Sequence, residues 1–209
     1  MIDDLEAEPP YAAAVFGKTL DAARAYTAHL AEHGETLGLI GPLERERLWS
    51  RHVVNCGLVA PLLNPGLVGD IGSGAGLPGL VLALARPDVQ FVLIEPMERR
   101  VEWLAAETER LGLANVRIVR DRAEDAFLGE RLDQVTARAV SSLSKLIPIT
   151  APLVRSGGEM LFMKGRRVQD EIDAAAKAIR KARLSDIRVE TLGTGVAPEE
   201  TFVFRATVD

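Results

Sequence analysis

Cysteine occurs once in the chain, at Cys56. No internal disulfide can form, and the composition suits a reducing cytosol, so a cytoplasmic protein is expected. Histidine is almost as scarce: His29, His33 and His52 are too isolated in pattern to argue for zinc, and no Cys/His cluster has metal-ligand spacing. No metal is therefore expected. Long apolar runs are also lacking, none approaching the ~18 residues of a membrane span. The first ten residues are acidic and lack the basic and apolar regions of a signal peptide. Nor is there a cationic excess. The formal net charge is −5, which argues against general nucleic-acid binding, so any RNA has to be met by a local basic patch.

What is present fits one globular domain. Of 209 residues, 47% are hydrophobic, enough to bury a substantial core; nothing fixes the oligomeric state, and a monomer is favoured. Residues 1–64 divide into an acidic tail over 1–10, expected to be mobile, and a helical cap. In the cap Val15, Leu20, Ala23 and Tyr26, and again Leu48, Val53, Cys56 and Ala60, fall near helical spacing. Gly34 and the run Gly38-Leu39-Ile40-Gly41-Pro42 break it into at least two helices. From 65 to 209 strands alternate with helices. The pattern predicts strands at 68–71, 91–95, 116–119, 133–138 and 159–164, then a terminal pair at 187–192 and 201–207. Helices are expected over 77–85, from Pro96 to Gly112, over 142–153, and along Val168, Ile172, Ala176 and Ile179. Such alternation implies an α/β fold: a mostly parallel, Rossmann-like sheet with helices on both faces and an antiparallel C-terminal strand. Ligands of these folds sit beyond the carboxyl ends of the strands, so the residues just after each strand become the site candidates.

Asp70-Ile71-Gly72-Ser73-Gly74-Ala75-Gly76-Leu77-Pro78-Gly79 follows the first strand. Glycines there let the backbone turn tightly and approach a ligand, and the next helix presents free N–H groups to it. Two registers compete. Gly74-Ala75-Gly76-Leu77-Pro78-Gly79 formally matches the dinucleotide fingerprint, which alone is weak. The other is Asp70-x-Gly72-x-Gly74-x-Gly76, which resembles the first motif of class I S-adenosylmethionine-dependent methyltransferases. It gives Asp70 a task beside a cofactor bearing an ammonium and a sulfonium; the dinucleotide register gives it none. An ordinary Gly-rich strand-to-helix turn explains less.

Glu95, at the end of the second strand, can accept both ribose hydroxyl protons, although an acid before a helix also suits the dipole. Asp121-Arg122-Ala123-Glu124 can lay amides beside an adenine edge, small Ala123 permitting close approach; helix capping by the acids is compatible with that. Arg138 ends the fourth strand without an acid, Asn or Cys beside it. Exocyclic-amine methylation usually needs an acceptor for the amine hydrogens, pyrimidine-carbon methylation a cysteine nucleophile, and catechol-type chemistry metal carboxylates. A ring nitrogen with a lone pair needs only positioning. Lys164-Gly165-Arg166-Arg167 ends the fifth strand and could meet phosphates or guanine O6, or be a solvated charge run. Arg45, Arg47, Arg51 and His52 form a second basic group, while Lys177, Arg180, Lys181 and Arg183 suit a helix C-terminus.

With Leu48-Trp49-Ser50-Arg51-His52, the Gly76-Leu77-Pro78-Gly79 loop ending, Arg122-Ala123-Glu124, Ala137-Arg138-Ala139 and Lys164-Gly165 in order, the chain resembles the ribosomal small-subunit methyltransferase G (glucose-inhibited division protein B) family from about residue 39 to 208. The resemblance implies S-adenosyl-L-methionine as cofactor and N7-methylation of a guanine, nucleotide 527 in the 530 loop of 16S ribosomal RNA, the partner being that RNA or a small-subunit particle. Family cofactor contacts match Gly72, Leu77, Ala123, Glu124 and Arg138. With Asp70 and Gly74 on the methionine part and Glu95 on the ribose, Arg51, His52 and Lys164 are left to meet RNA. Departures spare the cofactor motifs and bear on the RNA contacts: Leu37-Gly38-Leu39-Ile40 replaces an Asn-Leu-Thr segment, Asn55-Cys56 an Asp-Ser, and Glu199-Glu200-Thr201 stands where many members carry Glu-Arg. A dinucleotide-dependent oxidoreductase, a small-molecule methyltransferase and a non-catalytic RNA-binding module are the alternatives.

Overall fold

In the computed structural model, which describes residues 5–209, the strands are β1 (Leu67–Ile71), β2 (Gln90–Ile94), β3 (Val116–Val119), β4 (Leu132–Arg138), β5 (Val154–Lys164), β6 (Leu184–Leu192) and β7 (Thr201–Val208). They form one sheet in the order β3-β2-β1-β4-β5-β7-β6. The first five pair in parallel, and β7 runs antiparallel to both β5 and β6. The order reverses between β1 and β4, where a crevice opens above the strand ends.

The period of two along the strands builds a core on each face. Leu161 and Met163 of β5 join one hydrophobic cluster, and Met160 and Phe162 the other. The first also takes in the cap helices α1 (Ala12–Phe16) and α2 (Leu20–His33), the π-helix Leu48–Val54 with its continuation α3 (Asn55–Gly57), and α4 (Gly79–Ala85) and α5 (Glu98–Arg110). The second takes in α6 (Leu143–Thr150), α7 (Val168–Ala174) and α8 (Ala176–Lys181).

Several expectations change. Residues 5–10 are not free: Leu5 packs against the first core, Glu6 N–H donates to the Arg45 carbonyl at 3.0 Å, Ser50 N–H donates to the Glu6 carboxylate at 2.9 Å, and Glu8 pairs with Arg24. The rest of the expected mobile tail, residues 1–4, lies outside the described residues. Gly157 and Gly158 fall inside β5 rather than before it, because the β4–β5 register shifts there and a bulge absorbs them. The helix expected along Val168–Ile179 is two, interrupted at Ala175. Pro78 is not in the first helical turn; it precedes Gly79 as the N-cap residue of α4, after a cis Leu77–Pro78 bond.

Candidate cofactor and substrate cavities

The loop between β1 and α4 turns on alternate glycines in the left-handed region: Gly72 at φ +66°, Gly74 at +56° and Gly76 at +99°. Its Gly72 N–H donates to the Ile94 carbonyl of the neighbouring strand at 2.8 Å. Two buried carboxylates hold it from behind. Asp70 accepts from the Gly79 N–H at 3.0 Å and the Thr136 hydroxyl at 3.2 Å. Burial disfavours its charged form and pushes its pKa up to about 7. Glu95 accepts from the Gly74 and Met97 N–H groups, both at 3.0 Å, tying the loop to the start of α5. On the opposite side the Tyr26 hydroxyl and the Trp103 indole N–H both donate to the Ala75 carbonyl at 2.9 Å. The loop is thus fixed before any ligand arrives.

Two cavities meet at the end of β4. One, of 320 Å³, lies between the loop and the cap, with Gly72, Gly74 and Leu77 on one wall and Leu39, Glu44 and His52 on the other. The second, of 740 Å³, is bordered by the basic side chains of Arg51, Lys164 and Arg166 and by the acidic Glu171, Glu199 and Glu200. Both volumes fall within the ~300–1,000 Å³ of small-ligand sites. Arg138 and Ala139 line both. Ala139 has φ +55°, unfavourable for a residue with a Cβ; strained backbone of this kind is found at functional sites.

Arg138 reaches from β4 into the cap. It donates to the Arg51 carbonyl at 3.2 Å, His52 Nδ1 at 2.8 Å and Cys56 Sγ at 3.3 Å. His52 Nε2 in turn lies 2.5 Å from a Glu44 carboxylate oxygen. Arg51 and His52 belong to the π-helix. Lys164 is enclosed rather than free, its ammonium donating to the Ser141 carbonyl at 2.7 Å and to Glu171 at 2.8 Å.

The sequence-derived candidates therefore divide. Gly72, Gly74, Leu77 and Arg138 line the smaller cavity, and so does His52, which the sequence assigned to RNA. Asp70 and Glu95 stand behind its wall and brace the loop. Ala123 is buried and Glu124 exposed in the segment after β3, and neither is among the residues lining the two cavities. Arg51 and Lys164 line the larger cavity. Sequence reasoning missed Glu44 and Arg100 in the smaller cavity and Glu171 in the larger. Arg100 had a local signal, one turn into the helix that follows Glu95; Glu44 had none, since an irregular turn brings it to His52. Arg100 lines the smaller cavity with its guanidinium Nη1 3.8 Å from a Glu95 carboxylate oxygen, while its Nε is buried without a hydrogen-bond partner.

The comparisons with known proteins agree with this geometry. Residues 19–201 match the family described as rRNA small subunit methyltransferase G. Over 208 residues the chain is 62% identical to the ribosomal RNA small subunit methyltransferase G of Leifsonia xyli subsp. xyli, covering 100% of both chains. It is 49% identical over 210 residues to that of Pseudarthrobacter chlorophenolicus, covering 100% of this chain and 97% of the relative. Among solved structures, the N-methyltransferase NodS from Bradyrhizobium japonicum in complex with S-adenosyl-L-homocysteine superposes with a TM-score of 0.57 at 15% identity, over 83% of this chain and 97% of NodS. A TM-score of 0.59 at 14% identity relates it to TYW2 of P. horikoshii, over 75% and 62% of the two chains. The sheet is that of S-adenosylmethionine-dependent methyltransferases, and the chain belongs to the rRNA small subunit methyltransferase G family.

Proposed function

We propose that the protein transfers the methyl group of S-adenosyl-L-methionine to N7 of guanine 527 in the 530 loop of 16S ribosomal RNA. The observation that carries this reading is the shared wall of the two cavities at Arg138 and Ala139, which brings a pre-formed glycine-loop site against a larger site edged with cations. The smaller cavity fits the cofactor. Its loop glycines let backbone come close, and the lining residues Arg100 and Arg138 bring positive charge for the carboxylate end. Glu95, buried behind that wall, serves the ribose side of the site by holding the Gly74 and Met97 N–H groups in place.

The bound cofactor supplies an electrophilic methyl group on a sulfonium. Around it, the protein's part is positioning. Arg51 and Arg166 face the phosphates, and Glu199 and Glu200 can accept from the N1–H and amino group of a guanine turned toward the junction. N7 carries a lone pair and no proton, so the transfer is a direct displacement that needs orientation and exclusion of water rather than a base. Ala139, Val140 and Ser141, the residues next to the junction on the β4 side, provide none.

Nucleoside mass spectrometry of 16S RNA from cells with and without the protein tests the reading, with 7-methylguanosine at that position expected only in its presence. Calorimetry should show S-adenosylhomocysteine binding more tightly than NAD. A methylated exocyclic amine, or preference for NAD, would overturn the proposal.

A further inference from the structure

We propose that Glu44 and His52 act as a relay that positions Arg138 at the cofactor, so that a cap residue with no expected cofactor role sets cofactor affinity. The inference rests on the proposed function only in taking the 320 Å³ cavity to hold the cofactor. Arg138 stands at the tip of a strand with a long, freely rotating stem, and loses much rotamer entropy when held in one place. Three cap acceptors fix it: a carbonyl, a thiol and an imidazole nitrogen. The carbonyl and thiol accept whatever the protonation of the neighbourhood. The imidazole accepts from the guanidinium through Nδ1 only when its proton sits on Nε2. Glu44, 2.5 Å from Nε2, holds it there. The chain Glu44 carboxylate, His52 Nε2–H, His52 Nδ1, Arg138 guanidinium therefore has one consistent set of donors and acceptors.

The charged and titratable groups facing His52 are Glu44, Arg138 and Arg51, whose Nε is 3.7 Å from the same Glu44 carboxylate; beside Arg138 lies Cys56, whose thiol burial keeps protonated. Burial, and then the charge of Arg138, hold the imidazole below its ordinary range against the pull of Glu44. At neutral pH His52 is accordingly uncharged and accepts. In acid a proton on Nδ1 removes the acceptor and sets a cation against the guanidinium, releasing Arg138 from the cap.

The decisive measurement is a double-mutant cycle read by calorimetric affinity for S-adenosylhomocysteine, with His52→Ala, Arg138→Ala and both together. His52→Ala should weaken binding roughly tenfold in the parent protein and by less than about twofold in the Arg138→Ala background, because a relay has no effect once its target is gone. His52→Asn, which keeps an acceptor near the Nδ1 position, should restore affinity to within about threefold and guards against a folding defect. As pH falls below the ordinary imidazole range, under about 6.5, affinity should drop more steeply in the parent protein than in His52→Asn, the comparison removing what Asp70 contributes to both. Additive losses in the cycle, or unaltered binding by His52→Ala, would overturn the relay. Failure of the parent protein to bind S-adenosylhomocysteine at all would overturn the proposed function instead.

Discussion

Asp70 shows how far a residue's burial can redirect its role. In the sequence it is the acid of a cofactor motif; in the structure it is buried behind the loop, with one oxygen on the Gly79 N–H and the other on the Thr136 hydroxyl. The motif was legible, but burial is set by Thr136 and Leu93, which arrive from other strands, so the brace was not. Burial raises its folded pKa to about 7, above the 3.8 of a free side chain. A raised carboxyl contributes stability that is fully present below its unfolded pKa and is lost as pH rises through the folded one. Between about pH 4 and 7 the cost approaches roughly 4 kcal/mol as an order of magnitude, at 1.36 kcal/mol per unit. Asp70→Asn keeps an acceptor for Gly79 and places a donor toward Thr136. Denaturant unfolding of both proteins should show the Asp70→Asn variant gaining on the parent as pH rises from 5 to 8. A difference that does not change over that span would mean the carboxyl is ionised and well solvated.

The elements follow from pattern where pattern is local. Val116–Val119 reads correctly to the residue, and the other strands lose only ends or bulges, because alternation and bounding glycines are written in neighbouring positions. What failed needed distant partners. The strand expected from 159 lies after Gly157-Gly158, yet β4 alongside draws β5 back to Val154. The acidic tail reads as mobile, yet Glu6 and Glu8 each meet a cap partner. The glycine loop sits between these cases: its turn is local, and its tightness is tertiary. Gly79 opens α4 with no left-handed φ, so its need for glycine comes only from its surroundings. A Cβ there would collide with Leu93 and stand 2.6 Å from the Asp70 carboxylate. Gly79→Ala should therefore cost ~1–3 kcal/mol as overpacking, lower Tm and weaken S-adenosylhomocysteine binding through the displaced loop. Gly165, where a Cβ would meet nothing within 4 Å, is the control, and Gly165→Ala should leave Tm unchanged. Equal Tm values for the two variants would show that the loop has slack the packing does not suggest.

At the scale of the molecule, a chain of net charge −5 has to engage a polyanion, and the distribution of charge decides how. Cations gather at the larger cavity, but they are not equally available. Lys164 spends its ammonium on Ser141 and Glu171, and its side chain is only 9% exposed. Arg51 is 43% exposed and has only loose carboxylate neighbours, Glu44 at 3.7 Å and Glu199 at 3.8 Å. The same-signed motif residues thus separate into a structural cation and a solvent-facing one, a division that sequence cannot display because the Lys164 partners, Ser141 and Glu171, are brought to it by the fold. Arg51→Ala removes the solvent-facing charge and leaves its backbone carbonyl in place for Arg138. RNA affinity should fall, and the slope of log affinity against log salt should become shallower by about one contact's share, ~0.7 for single-stranded RNA. Cofactor affinity should be nearly unaffected. Lys164→Ala should instead lower Tm, since it leaves the Ser141 carbonyl and Glu171 without their partner in a largely enclosed site. If the Arg51 variant kept the full salt slope, phosphates would have to be met elsewhere on the surface, and the larger cavity would serve the target base alone.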